Sequence, residues 1–181
     1  MQSKSSKLIQ KIVFSGVFLA LCMVLPMLTL QDRQLGQMFS LMHIPVLLCG
    51  FVCGWPYGLA VGFIAPLMRS LIFGMPPMFP IALSMAFELA AYGLATGLLY
   101  KLSKKDTLSV YITLVASMLI GRLVWGGAMS VLTLASANAG FTFAAFIAGA
   151  FTKAVPGIIC HILLVPALVI SLKGAKLMPN D

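Results

Sequence analysis

The chain has 181 residues, 61% of them apolar and only 9% charged, and a formal net charge of +8. Soluble domains carry about 25% charged and about 45–50% apolar residues, so composition excludes a soluble globular enzyme and a disordered basic tail. The basic residues are too sparse, and the segments between them too apolar, to form a phosphate-binding face for nucleic acid.

A bilayer-crossing helix needs about 20 apolar residues, so a chain of this length holds five or six spans and no separate catalytic domain. Lys4, Lys7 and Lys11 precede an apolar run over 12–30, and the first helix is predicted over 8–30. Its charge pattern resembles the start of a signal peptide, but no small-x-small cleavage site follows, so it reads as a retained span. Residues 31–37 (QDRQLGQ) are polar and belong outside the hydrocarbon. A second helix is predicted over 38–54, followed by Trp55-Pro56-Tyr57-Gly58, a turn with interfacial aromatics. The third, 57–75, ends at Pro76-Pro77. The fourth, 78–100, carries Pro80 in its first turn, where proline is tolerated. After the basic loop 101–107 (KLSKKDT), a fifth helix covers 108–134 and ends in the small, polar stretch 135–140 (ASANAG). The sixth, 141–172, is long enough to bend at Pro156-Gly157 or Pro166. The expected fold is all-α: a polytopic membrane protein of six transmembrane helices in one bundle, residues 1–181 forming one domain.

Six spans put both termini and the loops after the second and fourth helices on one side. That side holds Lys4, Lys7, Lys11, Lys101, Lys104, Lys105, Lys173 and Lys176, while the other holds only Arg33, beside Asp32. By the positive-inside rule both termini are cytoplasmic. Tyr57-Gly58-Leu59-Ala60-Val61-Gly62 recurs as Tyr92-Gly93-Leu94-Ala95-Thr96-Gly97. Each copy contains Gly-x-x-x-Gly, which lets helix backbones approach closely in lipid. Shared packing chemistry explains the echo as well as duplication does. A third small pair, Gly16 and Ala20, either packs within the chain or docks onto a partner.

Four charged residues fall inside predicted spans: Arg69, Glu88, Arg122 and Lys153. Each costs about 2.5–3.5 kcal/mol at a helix centre and normally faces a partner or a wet cavity. Counting along the spans places all four in the outer half of the bundle, where they are expected to converge. Two internal ion pairs are one reading, but three cations and one anion cannot all pair off, and uncompensated charge in low dielectric is expensive. A small anionic ligand, through a carboxylate or phosphate, removes that difficulty. Tyr92, one turn from Glu88, and Trp125, one turn from Arg122, could wall the same cavity. Asn138 either caps the site or makes a turn. His43 reads as a gate or an interfacial residue, His161 as a core histidine, and 73–79 (FGMPPMF) as a lid or a plain turn. Cys22, Cys49, Cys53 and Cys160 lie in apolar stretches and read as packing residues. Catalysis finds little support, because there is no phosphate loop and neither histidine stands at metal-ligand spacing from the single intramembrane acid. No cofactor or metal is expected.

In this pattern the chain resembles the substrate-binding S components of energy-coupling-factor (ECF) vitamin transporters. The resemblance covers nearly the whole chain: six short spans, a Lys-rich start, the small pair Gly16 and Ala20, and the polar outer segment 31–37. The runs Met42-His43-Ile44-Pro45-Val46-Leu47-Leu48-Cys49-Gly50 and Pro66-Leu67-Met68-Arg69-Ser70-Leu71-Ile72-Phe73-Gly74-Met75-Pro76-Pro77 look like the branch assigned to pantothenate. The resemblance implies a ligand cup without a motor, working with a transmembrane coupling subunit and two ATPase subunits and toppling in the cell membrane to deliver its substrate. It implies that Gly16 and Ala20 form the docking surface for the coupling subunit. It also implies an outward-facing pocket against the outer halves of the fourth to sixth helices, which suits Glu88, Arg122 and Lys153. Arg69 either joins that pocket or braces the outer loop. The expected ligand is a small anionic vitamin, pantothenate first. Pyridoxine, a thiamin precursor, riboflavin or folate remain alternatives, as does a structural subunit with no ligand.

Overall fold

Residues 4–29, 33–135 and 142–179 are described by a computed structural model. They form helices α1 (Lys4–Val24), α2 (Arg33–Phe39), α3 (His43–Cys53), α4 (Trp55–Phe73), α5 (Leu83–Leu102), α6 (Thr107–Ala135), α7 (Phe143–Ile147) and α8 (Val155–Gly174), with no strand among the described residues. A 3-10 turn, Leu25–Thr29, extends α1, and π turns at Met78–Ala82 and Ala148–Thr152 precede α5 and α8. Among the described residues five stretches are long and apolar enough to cross a membrane: α1 with its extension, α4, α5 with its lead-in, α6 and α8.

The expected second span is two short helices instead. Ser40, at φ 47°, turns the chain between α2 and α3. At 11 residues α3 is roughly 16 Å long, about half a hydrocarbon core. Every one of its residues is buried. Its sequence, HIPVLLCGFVC, is apolar on all faces beyond the first residue, and a helix of that kind belongs in a protein interior. It packs against α1, α4, α5 and α8 and forms the axis of the bundle. The expected turn at 55–58 is the first turn of α4, with Pro56 near its N-terminus, where a missing N–H costs nothing. The corner itself is Gly54, whose φ of 95° favours glycine. The expected sixth helix is interrupted as well: α7 and the π turn fold separately, and α8 starts immediately before Pro156.

The two Gly-x-x-x-Gly segments face each other as the antiparallel contact of α4 with α5. A Cβ on Gly58 would stand 2.7 Å from the carbonyl oxygen of Gly93, and one on Gly50 of α3 would stand 2.8 Å from the same oxygen. Cβ atoms on Gly62, Gly93 and Gly97 would meet backbone more closely still. The repeated hexapeptide is thus two sides of one helix contact.

The lysine-bearing segments gather at one end of the bundle. The Lys173 ammonium donates to the carbonyl of Lys105, tying the end of α8 to the α5–α6 turn. The start of α4 lies against Gly97, one turn before Lys101. Ser15, whose hydroxyl donates to the Lys11 carbonyl, contacts Cys49 near the same end of α3.

Candidate ligand-binding site

The inward face of α5 carries Ser84, Glu88, Tyr92 and Thr96, all buried and spaced one turn apart. Glu88 is 2% exposed. Its Oε1 accepts from Arg122 Nη1 at 2.9 Å and from the Tyr92 hydroxyl at 3.1 Å. Arg122 reaches it from α6, where the preceding Gly121 leaves the space that the Tyr92 ring fills; a Cβ there would collide with the ring. The Gly121-Arg122 pair therefore seats the aromatic ring and supplies the counter-charge in one turn of helix.

His43, at the start of α3, completes the cluster. Its Nε2 lies 3.5 Å from Glu88 Oε1, and its Nδ1 lies 3.0 Å from the Ser40 carbonyl. His161 of α8 points its Nε2 at the same carbonyl, 3.3 Å away, and stacks on His43 with ring centroids 5.8 Å apart. The His43 ring meets Tyr92 edge-on at 5.3 Å. Residues of α3, α5, α6 and α8 thus meet at one buried point. Two nitrogens of this cluster, Arg122 Nε and His43 Nε2, are buried without a hydrogen-bond partner among the described residues.

The four intramembrane charges do not converge as expected. Arg69 is buried on α4, but its Nη1 donates to the carbonyl of Met23 at 2.7 Å and its guanidinium lies over the Phe73 ring at 5.2 Å. The regular turns of α1 stop at Val24, and Pro26 has no N–H to offer the carbonyl one turn back. The helix end thus presents bare carbonyls and the negative end of its dipole, and Arg69 meets both. Lys153 lies in the turn before α8, with its side chain exposed. Its expected depth assumed an unbroken sixth helix; because α8 begins at Val155, Lys153 precedes that helix. The buried centre therefore holds one cation and one anion, and Arg69 is set against a helix end.

Trp125 stacks on Phe146 of α7, with centroids 6.1 Å apart and planes at 25°, and belongs to an aromatic group with Phe143 and Phe151. Asn138 lies outside the described residues. A cleft of about 310 Å³ opens between α6 and α7, lined by Leu123, Gly126, Gly127, Ser130, Thr142, Phe143 and Phe146. Gly126 stands one turn beyond Arg122, so the cleft adjoins the buried cluster on the side away from the lysines. Its volume is at the lower end of the range for small-molecule pockets. From sequence the two histidines had no assigned part in a ligand site; the available signal was that His161 interrupts an otherwise apolar helix and that His43 opens one. Among the described residues no group of three His, Cys, Asp or Glu side chains could hold a metal ion.

On α1, Gly16 and Ala20 are both exposed, and nothing lies within 4 Å of where a Gly16 Cβ would stand. Exposed Ile9, Ile12, Val13 and Val17 flank them, so this apolar strip is not used for packing among the described residues.

A family model described as ECF transporter, substrate-specific component, matches residues 10–169. Neither the curated proteins nor the solved structures contain a match. The matched family comprises substrate-binding components of transporters rather than enzymes.

Proposed function

We propose that this chain, which belongs to the family of substrate-specific components of ECF transporters, captures a small anionic vitamin outside the cell. The first candidate is pantothenate. The observation that carries this reading is the buried Arg122, one helical turn before the cleft-lining Gly126: one of its nitrogens is held by Glu88, while Nε lacks a partner among the described residues. A buried donor left unpaired costs about 1–3 kcal/mol, and a ligand carboxylate accepting from the guanidinium edge recovers it. Carboxylate recognition by an arginine fork is also geometrically specific. Tyr92 and Glu88 orient the guanidinium, and Ser130 and Thr142 offer hydroxyls to polar groups of the ligand farther out in the cleft. Trp125 acts indirectly, by holding α7 against α6. Lys153 and Asn138 stay in the proposal as further ligand contacts, and Arg69 braces the end of α1.

Delivery rests on partners. The exposed Gly16–Ala20 strip is suited to close helix–helix docking in lipid, and we assign it to the transmembrane coupling subunit, with two ATPase subunits supplying the energy. The clustering of lysines at one end supports a topology with both termini cytoplasmic. The test is a thermal-stability panel of vitamins on the purified chain. A ligand at 100 times its dissociation constant adds about 2.7 kcal/mol of stability. Stabilisation by pantothenate supports the proposal. Stabilisation by a different vitamin reassigns the substrate, and no stabilisation by any of them leaves a structural subunit.

A further inference from the structure

We propose that His43 is the second cationic arm of the site, and that an anionic ligand enters it together with one proton. The inference rests on the reading of the Arg122–Glu88 centre as a carboxylate site. As it stands, that centre is electrically balanced, one guanidinium against one carboxylate. A ligand carboxylate brought against Arg122 leaves one negative charge in excess at a point shielded from water, which is expensive. A proton drawn from bulk water restores the balance, and the geometry identifies the atom that takes it.

The Ser40 carbonyl can only accept. Its 3.0 Å contact with His43 Nδ1 therefore places a hydrogen on Nδ1. The main-chain N–H of His43 donates to the same oxygen at 2.9 Å, which fixes the ring against the α2–α3 corner. In the neutral ring Nε2 is then a bare lone pair, and it is buried, unpartnered among the described residues and 3.5 Å from Glu88 Oε1. A lone pair facing a carboxylate oxygen is repulsive; a proton on Nε2 turns the same contact into a charge-assisted hydrogen bond. Glu88, held by His43 and Tyr92, can then loosen its claim on Arg122, whose guanidinium becomes available to the ligand.

The other titratable and charged groups around His43 fit this assignment. From α5 come Glu88 and Tyr92, and from α6 comes Arg122, already a permanent cation. From α8 comes His161, stacked on His43, where a second imidazolium beside the first would be repelled. From α1 comes the Cys22 thiol, bonded to the carbonyl of Met42. α4 also packs against α3, and its buried charge, Arg69, is committed to the carbonyl of Met23. Of these, only His43 points an unoccupied ring nitrogen at the carboxylate.

The experiment is isothermal titration of the purified chain with pantothenate at pH 7.5 in several buffers of differing ionisation heat. The expected heat varies linearly with buffer ionisation heat, with a slope of about one proton taken up per ligand. The neutral alcohol analogue of pantothenate should give a slope near zero. In His43→Gln the slope should vanish while weaker binding persists. Saturable binding with a slope near zero in the wild-type chain overturns this inference and leaves the anion-site reading standing. A slope that survives in His43→Gln, or that also appears with the alcohol, overturns the assignment to His43. If pantothenate does not bind at all, its assignment as the ligand of this site falls and takes this inference with it.

Discussion

Arg122→Met tests whether the buried centre behaves as a coupled charge pair. The substitution keeps the unbranched stem and much of the volume of the side chain and removes its charge. Glu88, 2% exposed, then loses the donor at 2.9 Å and keeps the Tyr92 hydroxyl at 3.1 Å. Removing one partner of a buried pair costs about 3–5 kcal/mol, because the remaining charge is stranded away from water. The double variant Arg122→Met/Glu88→Gln leaves no charge behind, and its cost should be smaller than that of Arg122→Met alone. The loss that remains is of hydrogen bonds worth about 0.5–1.5 kcal/mol each. Reversible unfolding in mixed micelles, followed for the wild type, the two single variants and the double variant, gives the coupling energy directly. A double variant whose loss equals the sum of the two single losses would refute the reasoning, because it would show that Arg122 and Glu88 do not depend on each other.

Arg69→Leu removes the donor from the end of α1 and should destabilise the fold by about 1.5–3 kcal/mol, as for a hydrogen bond from a charged group; the same unfolding assay, with unchanged ligand affinity, separates this bracing role from a pocket role. Gly93→Val puts side-chain atoms into the backbone of α4 and should cost about 1–3 kcal/mol or more through overpacking, whereas Gly16→Val meets open space within the chain. The Gly16 variant should keep wild-type stability within about 0.5 kcal/mol and lose co-purification with the coupling subunit; retained co-purification would place the docking surface elsewhere. Lys153→Gln, at an exposed side chain, should likewise leave stability unchanged within about 0.5 kcal/mol, as read by the midpoint of thermal unfolding.

Long uninterrupted apolar runs made α1, α4, α5 and α6 legible, because in lipid a helix satisfies every backbone group within itself and composition alone marks it. The breaks were harder to read. Nothing in Gln37-Met38-Phe39-Ser40-Leu41 announces that Ser40 takes a left-handed conformation; that corner is held from outside, by the imidazoles of His43 and of His161 far along the chain. Once α2 and α3 separate, an 11-residue helix with no lipid-facing side becomes the core, which periodicity cannot distinguish from a span. The same limit misplaced Lys153, whose depth was counted along a helix that starts only after it. The scarcity of intramembrane charge pointed to Glu88 and Arg122 lying close together, but not to which cation Glu88 would pair with. A bracing role for Arg69 was one of two expectations, but its acceptor was not legible, since it is a backbone carbonyl at the proline-broken end of α1 and no side-chain inventory lists such an acceptor. The Gly-x-x-x-Gly echo was visible as chemistry, but its meaning as one antiparallel contact required the register.

Ligand capture at Arg122 is tested most directly by equilibrium binding of pantothenate to the purified wild-type chain and to Arg122→Lys. Lysine keeps the charge that Glu88 needs and loses the planar fork that a carboxylate fits. Saturable binding of one pantothenate per chain, weakened at least tenfold (about 1.4 kcal/mol) in the variant, is the expected result. Equal affinity in the two proteins would contradict the assignment of the site, and absence of binding in both would contradict the assignment of the ligand.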